Sequence, residues 1–504
     1  MKSFKAFTYA TLLSLGSLTM FSCEDSLNIS PEAHNSIEDF YKTETDVNQG
    51  VIAIYSNLLT LPTNSHWNMS EMRADNVVVN TALNVQRDYA DINGFLATSQ
   101  TGQFQSTWSN LYQIVYRANT VLDRITPFTF ARVPQFQGEA RFLRALAYFD
   151  LVRYWGDVPI VNKPVTITEA KNTPRSSVAD VYAFIVEDLK FAVDNLPDAY
   201  TGTAAGDKGR ATKWAAKALL GKVYLTMYGY PLKQADKLAL AKQQLGDVVA
   251  AEGSVSVPRI AANYPDIFKT ANDNSYNIFE VQYISGTGGL GSQVPSDQAF
   301  QFPSQWSAYQ PFGPDATINP NLYTGPLWPK ADTRKAATLD SSYVDTKTNA
   351  RSGRSQFTKF LEKGTTAPTG QRDYPNNFPI IRVEDVLLMY AEVLNEEAGG
   401  QVPAQALSIL NRIRTRAKVP ALASMSKEDF RLALERERRW EFAAEGIRWH
   451  DLVRTGRAIP VMNQFIKDNG IKLTRQLDEH DLLYPIPLQE LQINPGFWQQ
   501  NAGY

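Results

Sequence analysis

Gly286-Thr287-Gly288-Gly289-Leu290-Gly291 has the G-x-G-x-x-G spacing of a phosphate-cradling loop and follows a run of strand-like residues. A dinucleotide site also needs a helix to open at the last glycine, because the helix N-terminus binds the pyrophosphate. Here Gln293, Pro295, Ser296 and Asp297 follow with no apolar helical period, so the segment reads as a loop and no cofactor is expected. Metal chemistry has no better footing. His34, His66, His450 and His480 are scattered, no H-E-x-x-H occurs, and the single cysteine cannot complete a ligand set. No G-x-S-x-G elbow is present to activate a serine. A glycoside hydrolase needs two carboxylates across a cleft, and nothing marks such a pair among the 52 acidic residues. Glu437 shares a helical stripe with Phe430, Ala433, Trp440, Ala444 and Ile447, amid Arg436, Arg438, Arg439, Glu441, Glu445 and Arg448. A glutamate on an apolar face flanked by arginines reads as a structural ion-pair network, not a catalytic acid.

Aromatic residues carry the stronger signal. Trp306, Tyr309, Phe312, Tyr323 and Trp328 fall in a Pro-rich stretch, Tyr283 lies upstream, and Trp67 sits in an expected early loop before Arg73, Asp75 and Asn76. Aromatic rings on irregular backbone can stack on the C–H faces of sugar rings, while Asp, Asn and Arg satisfy the hydroxyls; the alternative is plain packing. The expected ligand-binding set is Trp67, Arg73, Asp75, Asn76, Tyr283, Trp306, Tyr309 and Trp328. Trp306 is the preferred anchor, since Pro303 and Pro311 bound its loop.

At the N-terminus, Lys2 and Lys5 precede an apolar run from Ala6 to Phe21, which ends in Ser22-Cys23. The run is too short to span a bilayer comfortably and reads as a cleaved export signal over residues 1–22. Cys23, one residue after a small serine, resembles the lipidated cysteine of a bacterial lipoprotein, and Glu24-Asp25 behind it resemble a surface-export signal. Lipid on Cys23 would be the only membrane attachment. With no further cysteine, the mature chain can form no disulfide and depends on its core. The formal net charge of −2 gives no basic surplus for non-specific nucleic-acid binding.

Helices must position these residues. Phe142, Leu146, Phe149 and Val152 make one apolar stripe; Leu387, Tyr390, Ala391 and Leu394 make another; Ala406, Leu410, Ile413 and Ala417 a third. Further helices are expected at about 45–60, 105–124, 178–195, 212–228, 234–250 and 428–447. Leu220-Gly221-x-x-Tyr224 and Ala145-x-x-x-Phe149 match fragments of a tetratricopeptide repeat, so degenerate helical hairpins are expected. Between about 263 and 377 the helical period fades. Pro311, Pro314, Pro320, Pro326 and Pro329 exclude a long helix there, and Tyr276–Ser285 has the residues of a short strand. The expected fold is mainly α. A tetratricopeptide-like superhelix at about 40–262 and 378–504 carries an irregular loop and short-strand lobe at about 263–377, all within one domain over 23–504.

Six collinear segments carry a family resemblance: EARFLRALAYFDLVRYWGDVPIV (139–161), GRATKWAAKALLGKVYL (209–225), PIIRVEDVLLMYAEVLNE (379–396), LNRIRTRA (410–417), ERERRWEFAAEGIRWHDLVRTG (435–456) and HDLLYPIPLQELQINPGFWQQNAGY (480–504). In this order they resemble the SusD/RagB family of Bacteroidota outer-membrane nutrient-binding lipoproteins. The resemblance implies a non-catalytic, surface-exposed outer-membrane lipoprotein that captures an oligosaccharide and delivers it to a SusC/RagA-like TonB-dependent transporter. Peptide capture is the alternative, and a surface glycoside hydrolase the more distant one. The matching segments are scaffold; the family's ligand contacts lie in variable loops, so no site residue transfers from it.

Overall fold

The structure is a computed structural model that describes residues 40–79, 87–201, 207–303, 306–311, 316–324, 328–341, 355–364 and 370–504. Cys23, His34 and Phe312 lie outside the described residues. Contacts group the chain into two compact units, Met1–Val47 and Asn48–Tyr504. In the first, the Asp46 carboxylate accepts the N–H groups of Lys42 and Thr43 and so caps the start of a helix.

Ten of the helices among the described residues build the scaffold of the second unit. They are α1 (Gly102–Arg124), α2 (Val133–Trp155), α3 (Val178–Asn195), α4 (Lys213–Tyr228), α5 (Lys237–Ala250), α6 (Val383–Glu397), α7 (Ala404–Arg416), α8 (Lys427–Glu441), α9 (Arg448–Arg454) and α10 (Ala458–Asp468). From α1 to α7 each packs on the next, as stacked hairpins do. The Leu220-Gly221-x-x-Tyr224 motif has a direct physical reading. A Cβ on Gly221 would lie 2.6 Å from Leu245 Cγ, so the glycine is what lets α4 and α5 approach closely. α2 is buried around most of its circumference, Ala145 and Phe149 included, and forms the centre of the helical half. Among the described residues no helix is long and apolar enough to cross a membrane.

The central lobe is irregular, as its prolines dictate. Among the described residues it holds short helices, the longest α-helix being Thr333–Thr338, and strands in three two-stranded antiparallel sheets: β1 (Val77–Val79) with β3 (Ala316–Ile318), β2 (Asn277–Val281) with β6 (Phe378–Arg382), and β4 (Leu339–Asp340) with β5 (Gln356–Phe357). β1 comes from the early segment and β3 from the lobe, so that sheet stitches the two together. β6 runs straight into α6, and its pairing with β2 fixes the lobe's other end to the scaffold.

Two expectations need correction. The early segment around Trp67 is a wide helix, Pro62–Glu71, whose i→i−5 bonding continues to Met72 N–H on Trp67 O at 3.0 Å. The helix expected over 428–447 ends at Glu441. Beyond it Ala444 and Gly446 take φ of 72° and 73°, and the Glu71 carboxylate accepts the N–H groups of both, at 2.9 and 3.0 Å. A buried carboxylate from another segment thus replaces the helical hydrogen bonds.

Candidate functional site

Behind the lobe lies a buried charge network. Glu437 is fully buried between Arg334 (2.7 Å) and Arg414 (2.8 Å). Glu441 takes Arg334 (3.0 Å), Arg382 (3.0 Å) and Arg416 (2.6 Å), while Glu445 takes Arg382 (2.9 Å) and Lys359 (2.7 Å). Burial alone would push the Glu441 carboxyl up, but Arg416, Arg382 and Arg334 outweigh it and hold it well below the usual range. Burial pulls the Lys359 ammonium down to about 8 against the attraction of Glu445. Arg334, Lys359 and Arg382 belong to the lobe and its closing strand, whereas the carboxylates belong to α8 and the turn after it. The network therefore fastens the lobe to the helices. Every carboxylate in it faces cations, and none faces a second carboxylate across an open cleft.

Of the eight residues expected to touch a ligand, six are buried. Trp67 packs edge-on against Phe357, ring centres 5.9 Å apart. The Arg73 guanidinium lies 3.8 Å from the centre of Phe95 and donates to Ile92 O and Asp481 O. Asp75 is paired with Arg439 (3.1 Å) and Arg448 (2.8 Å); burial would raise its carboxyl, but the two guanidiniums hold it at about 2. Asn76 donates to Glu71 and accepts from Arg439. Tyr283 donates its hydroxyl to Leu59 O at 2.6 Å, and Trp328 stacks on Trp440 at 6.4 Å and 15°. The expectation of an exposed platform is corrected for these six, since a ring or guanidinium enclosed by core side chains offers no free face.

Trp306 and Tyr309 are different. Both are half-buried, and both pack against a small core of Ala299, Phe302, Leu361 and Tyr374. Their loop is cross-braced by side chains. Gln310 closes it like a strand pair, accepting Phe302 N–H at 3.1 Å and donating to Phe302 O at 2.9 Å. Ser307 Oγ bonds the Tyr374 hydroxyl at 2.7 Å and accepts Tyr309 N–H at 3.1 Å. Trp306 O accepts Gly364 N–H at 3.2 Å, and the exposed Lys363 ammonium sits 4.2 Å from the indole centre. The adjoining glycine segment closes on itself through Ile284 N–H to Leu290 O, and Asp373 anchors it by accepting Gly286 N–H. The roles of Gln310, Lys363 and Tyr374 carry no sequence motif. Their only advance signal is that they share the Pro-rich lobe with Trp306.

A separate cleft of about 750 Å3 opens in the helical half, between the end of α4, α6, α8 and α9. It lies among none of the eight expected residues.

The comparisons with known proteins agree with this architecture. A family described as the SusD family matches residues 323–504, and one described as starch-binding associating with outer membrane matches residues 27–225. A SusD-like protein of Bacteroides ovatus is 30% identical over 417 residues, covering 75% of this chain and 70% of its own. One from Formosa agariphila is 26% identical and covers 96% of both chains. Among solved structures, a laminarin-binding SusD-like protein superposes with a TM-score of 0.76 at 29% identity, covering 92% of this chain and all of that one. A structure solved with a xylogluco-oligosaccharide has a TM-score of 0.75 at 24% identity, covering 91% of this chain and 99% of that one; it speaks to the fold alone.

Proposed function

The chain belongs to the SusD/RagB family, and from that premise we propose that it is a non-catalytic surface lipoprotein that binds an oligosaccharide at the central lobe. Lipid on Cys23 would hold it at the outer membrane, and a SusC-like TonB-dependent barrel would receive the ligand. The observation that carries the binding reading is the pair Trp306 and Tyr309, half-exposed on a loop that Gln310, Ser307 and Tyr374 brace. Bracing matters because a sugar offers little apolar area, and ordering a floppy loop on binding would cancel what stacking contributes. In the complex, a C–H face of the sugar takes the place of the exposed Lys363 ammonium over the indole. The laminarin-binding relative supports a β-glucan as the first ligand to try. Gln310 and Lys363, both exposed beside the platform, supply polar groups for hydroxyls.

Calorimetry against laminarin oligosaccharides and xylogluco-oligosaccharides tests this reading. Trp306→Ala should weaken binding by about 1–3 kcal/mol, taking base stacking on aromatic side chains as the analogue, with the fold intact by circular dichroism. Wild-type affinity in that variant would move the site away from the lobe.

A further inference from the structure

Asp297 is a buried carboxylate with little to hold it. It ends the short helix Val294–Asp297 in the lobe, is 7% exposed, and accepts one hydrogen bond among the described residues, from Thr63 Oγ1 of the early segment at 2.8 Å. A carboxylate has about four acceptor sites, so most of its capacity is unused. Burial lifts the carboxyl to about 6 against the pull of Thr63 and Arg372. Asp75 shows the contrast: burial would raise it too, but Arg439 and Arg448 hold it at about 2.

Two side chains that reach the surface lie beside Asp297. Arg372 is exposed, and its charge favours both the Asp297 carboxylate and the ionised Tyr89. Tyr89 is half-buried on the helix Arg87–Asn93; burial, then Asp297 and Asp88, push its hydroxyl up to about 12. The enclosed Tyr283 also feels Asp297, but its hydroxyl is spent on Leu59 O. This corner adjoins the aromatic platform. Ser296 Oγ donates to Gln371 O, one residue before Arg372. Two residues after Arg372, at most about 7 Å of chain, Tyr374 pairs with Ser292 through N–H to O bonds of 2.7 and 3.1 Å. Trp306 and Tyr309 pack on that same Tyr374, and Ser307 bonds its hydroxyl. Rings for a C–H face and an Asp–Arg couple thus sit on neighbouring stretches of one backbone. The carboxylate can accept from one hydroxyl while the guanidinium donates to the next, so the couple matches adjacent hydroxyls of one ring. An anionic group would meet Asp297 and a cationic one Arg372, which favours a neutral sugar.

Resting on sugar binding at Trp306, we propose that Asp297 and Arg372, with Tyr89 beside them, bind adjacent hydroxyls on a further ring of the same neutral oligosaccharide. Titration calorimetry of the full chain with laminarihexaose, cellohexaose and a xyloglucan heptasaccharide, at pH 7.5 and pH 5.0, tests this. For a sugar that binds, Asp297→Asn should weaken binding at pH 7.5 by about tenfold or more, the usual worth of a hydrogen bond to a charged group. Asparagine keeps an acceptor for Thr63, so the fold should stay intact by circular dichroism. Wild-type affinity should fall by about tenfold between the two pH values, because only about a tenth of a carboxyl that titrates at about 6 is charged at pH 5.0. The Asp297→Asn affinity should not change with pH. Arg372→Ala, an exposed change, should weaken binding by a similar factor, and it decides the matter if Asp297→Asn misfolds. Wild-type affinity in both variants overturns the proposal, as does a loss in Asp297→Asn that keeps the wild-type pH dependence. In either case the platform stands if Trp306→Ala still loses binding. A loss in Asp297→Asn with none in Trp306→Ala keeps the polar couple and overturns the platform. Binding by none of the three sugars overturns both.

Discussion

Single residues in this protein are decided by who shares their burial. Glu437 is the clearest case, because its carboxylate is fully buried together with Arg334 and Arg414. Removing it takes the carboxylate counterion from Arg414 and one of three from Arg334, so Glu437→Ala should cost about 3–5 kcal/mol of stability. Urea denaturation is the measurement, and a midpoint equal to wild type would contradict the placement. Histidines behave in the opposite sense. His66 and His450 line a small, largely apolar cavity with Asp150, Arg153 and Lys222. Burial depresses both imidazoles, and for His450 the nearby Arg153 and His66 add to it. In the unfolded chain each takes a proton near 6.5, while the folded protein resists it. Stability is therefore intact above pH 6.5 and falls as pH drops below it, by up to about 1.4 kcal/mol per pH unit per histidine. Asp297 and Asp273, raised to about 6 and about 7 chiefly by burial, work the other way, since the folded state holds their protons more tightly. The difference between wild type and His450→Gln is thus the readout: the variant should lose less stability between pH 7 and pH 5. Parallel curves would mean that His450 does not stay neutral in the fold.

At the scale of elements, the turn after α8 shows how a short segment sets the position of everything around it. Glu71 caps this turn from the wide helix, and Gly446 sits in it at φ 73°. A Cβ at Gly446 would lie 2.4 Å from His66 O, a backbone atom that cannot swing away. Left-handed strain and overpacking together predict that Gly446→Ala loses about 2–5 kcal/mol. Gly456 is the control, because its φ is 71° yet nothing lies within 4 Å of its would-be Cβ, so Gly456→Ala should cost only the ~1–2 kcal/mol of strain. Equal denaturation midpoints for the two variants would rule out the steric account. The same comparison explains what the sequence made legible. A helix with a regular apolar stripe, such as α7, is visible because burial and period are the same fact, whereas α2 is betrayed by its apolar stripe although it is buried nearly all round. The wide helix at Trp67 is hidden behind Pro62, Asn64, Ser65, Asn68 and Ser70, which favour turns when they act locally. Only tertiary contact with Glu71's partners reverses that preference. In the lobe no period exists, so a buried Trp328 and a half-exposed Trp306 look alike until Trp440 is seen to cover one of them.

Across the whole molecule, the last stretch of chain closes what the first stretch leaves open. Arg73 donates to Asp481 O, and Tyr484 threads between early elements, its N–H on Tyr154 O at 2.7 Å and its hydroxyl on Met69 O at 2.6 Å. Trp155 Nε1–H donates to Pro485 O, Leu488 N–H to Ser99 O, and Trp498 lies 6.2 Å from Trp108 while bonding Thr173 O. Arg175 grips the end itself through Gln499 O and Asn501. Contacts that join residues more than 300 positions apart make folding depend on the C-terminal segment being present. Deleting residues 483–504 removes the buried Tyr484 and Ile486, takes the acceptor from Trp155 Nε1–H and takes the Tyr484 donor from Tyr154 O. Losing two large core side chains costs about 4–10 kcal/mol by the usual cavity figures, which is comparable to the entire stability of a natural domain. The truncated chain should therefore be insoluble, or lack a cooperative thermal transition by circular dichroism. Deleting only residues 502–504, all exposed, should leave that transition within a few degrees of wild type. A sharp, near-wild-type melt for the longer deletion would mean that the helical stack is self-sufficient and that the C-terminal segment merely decorates it.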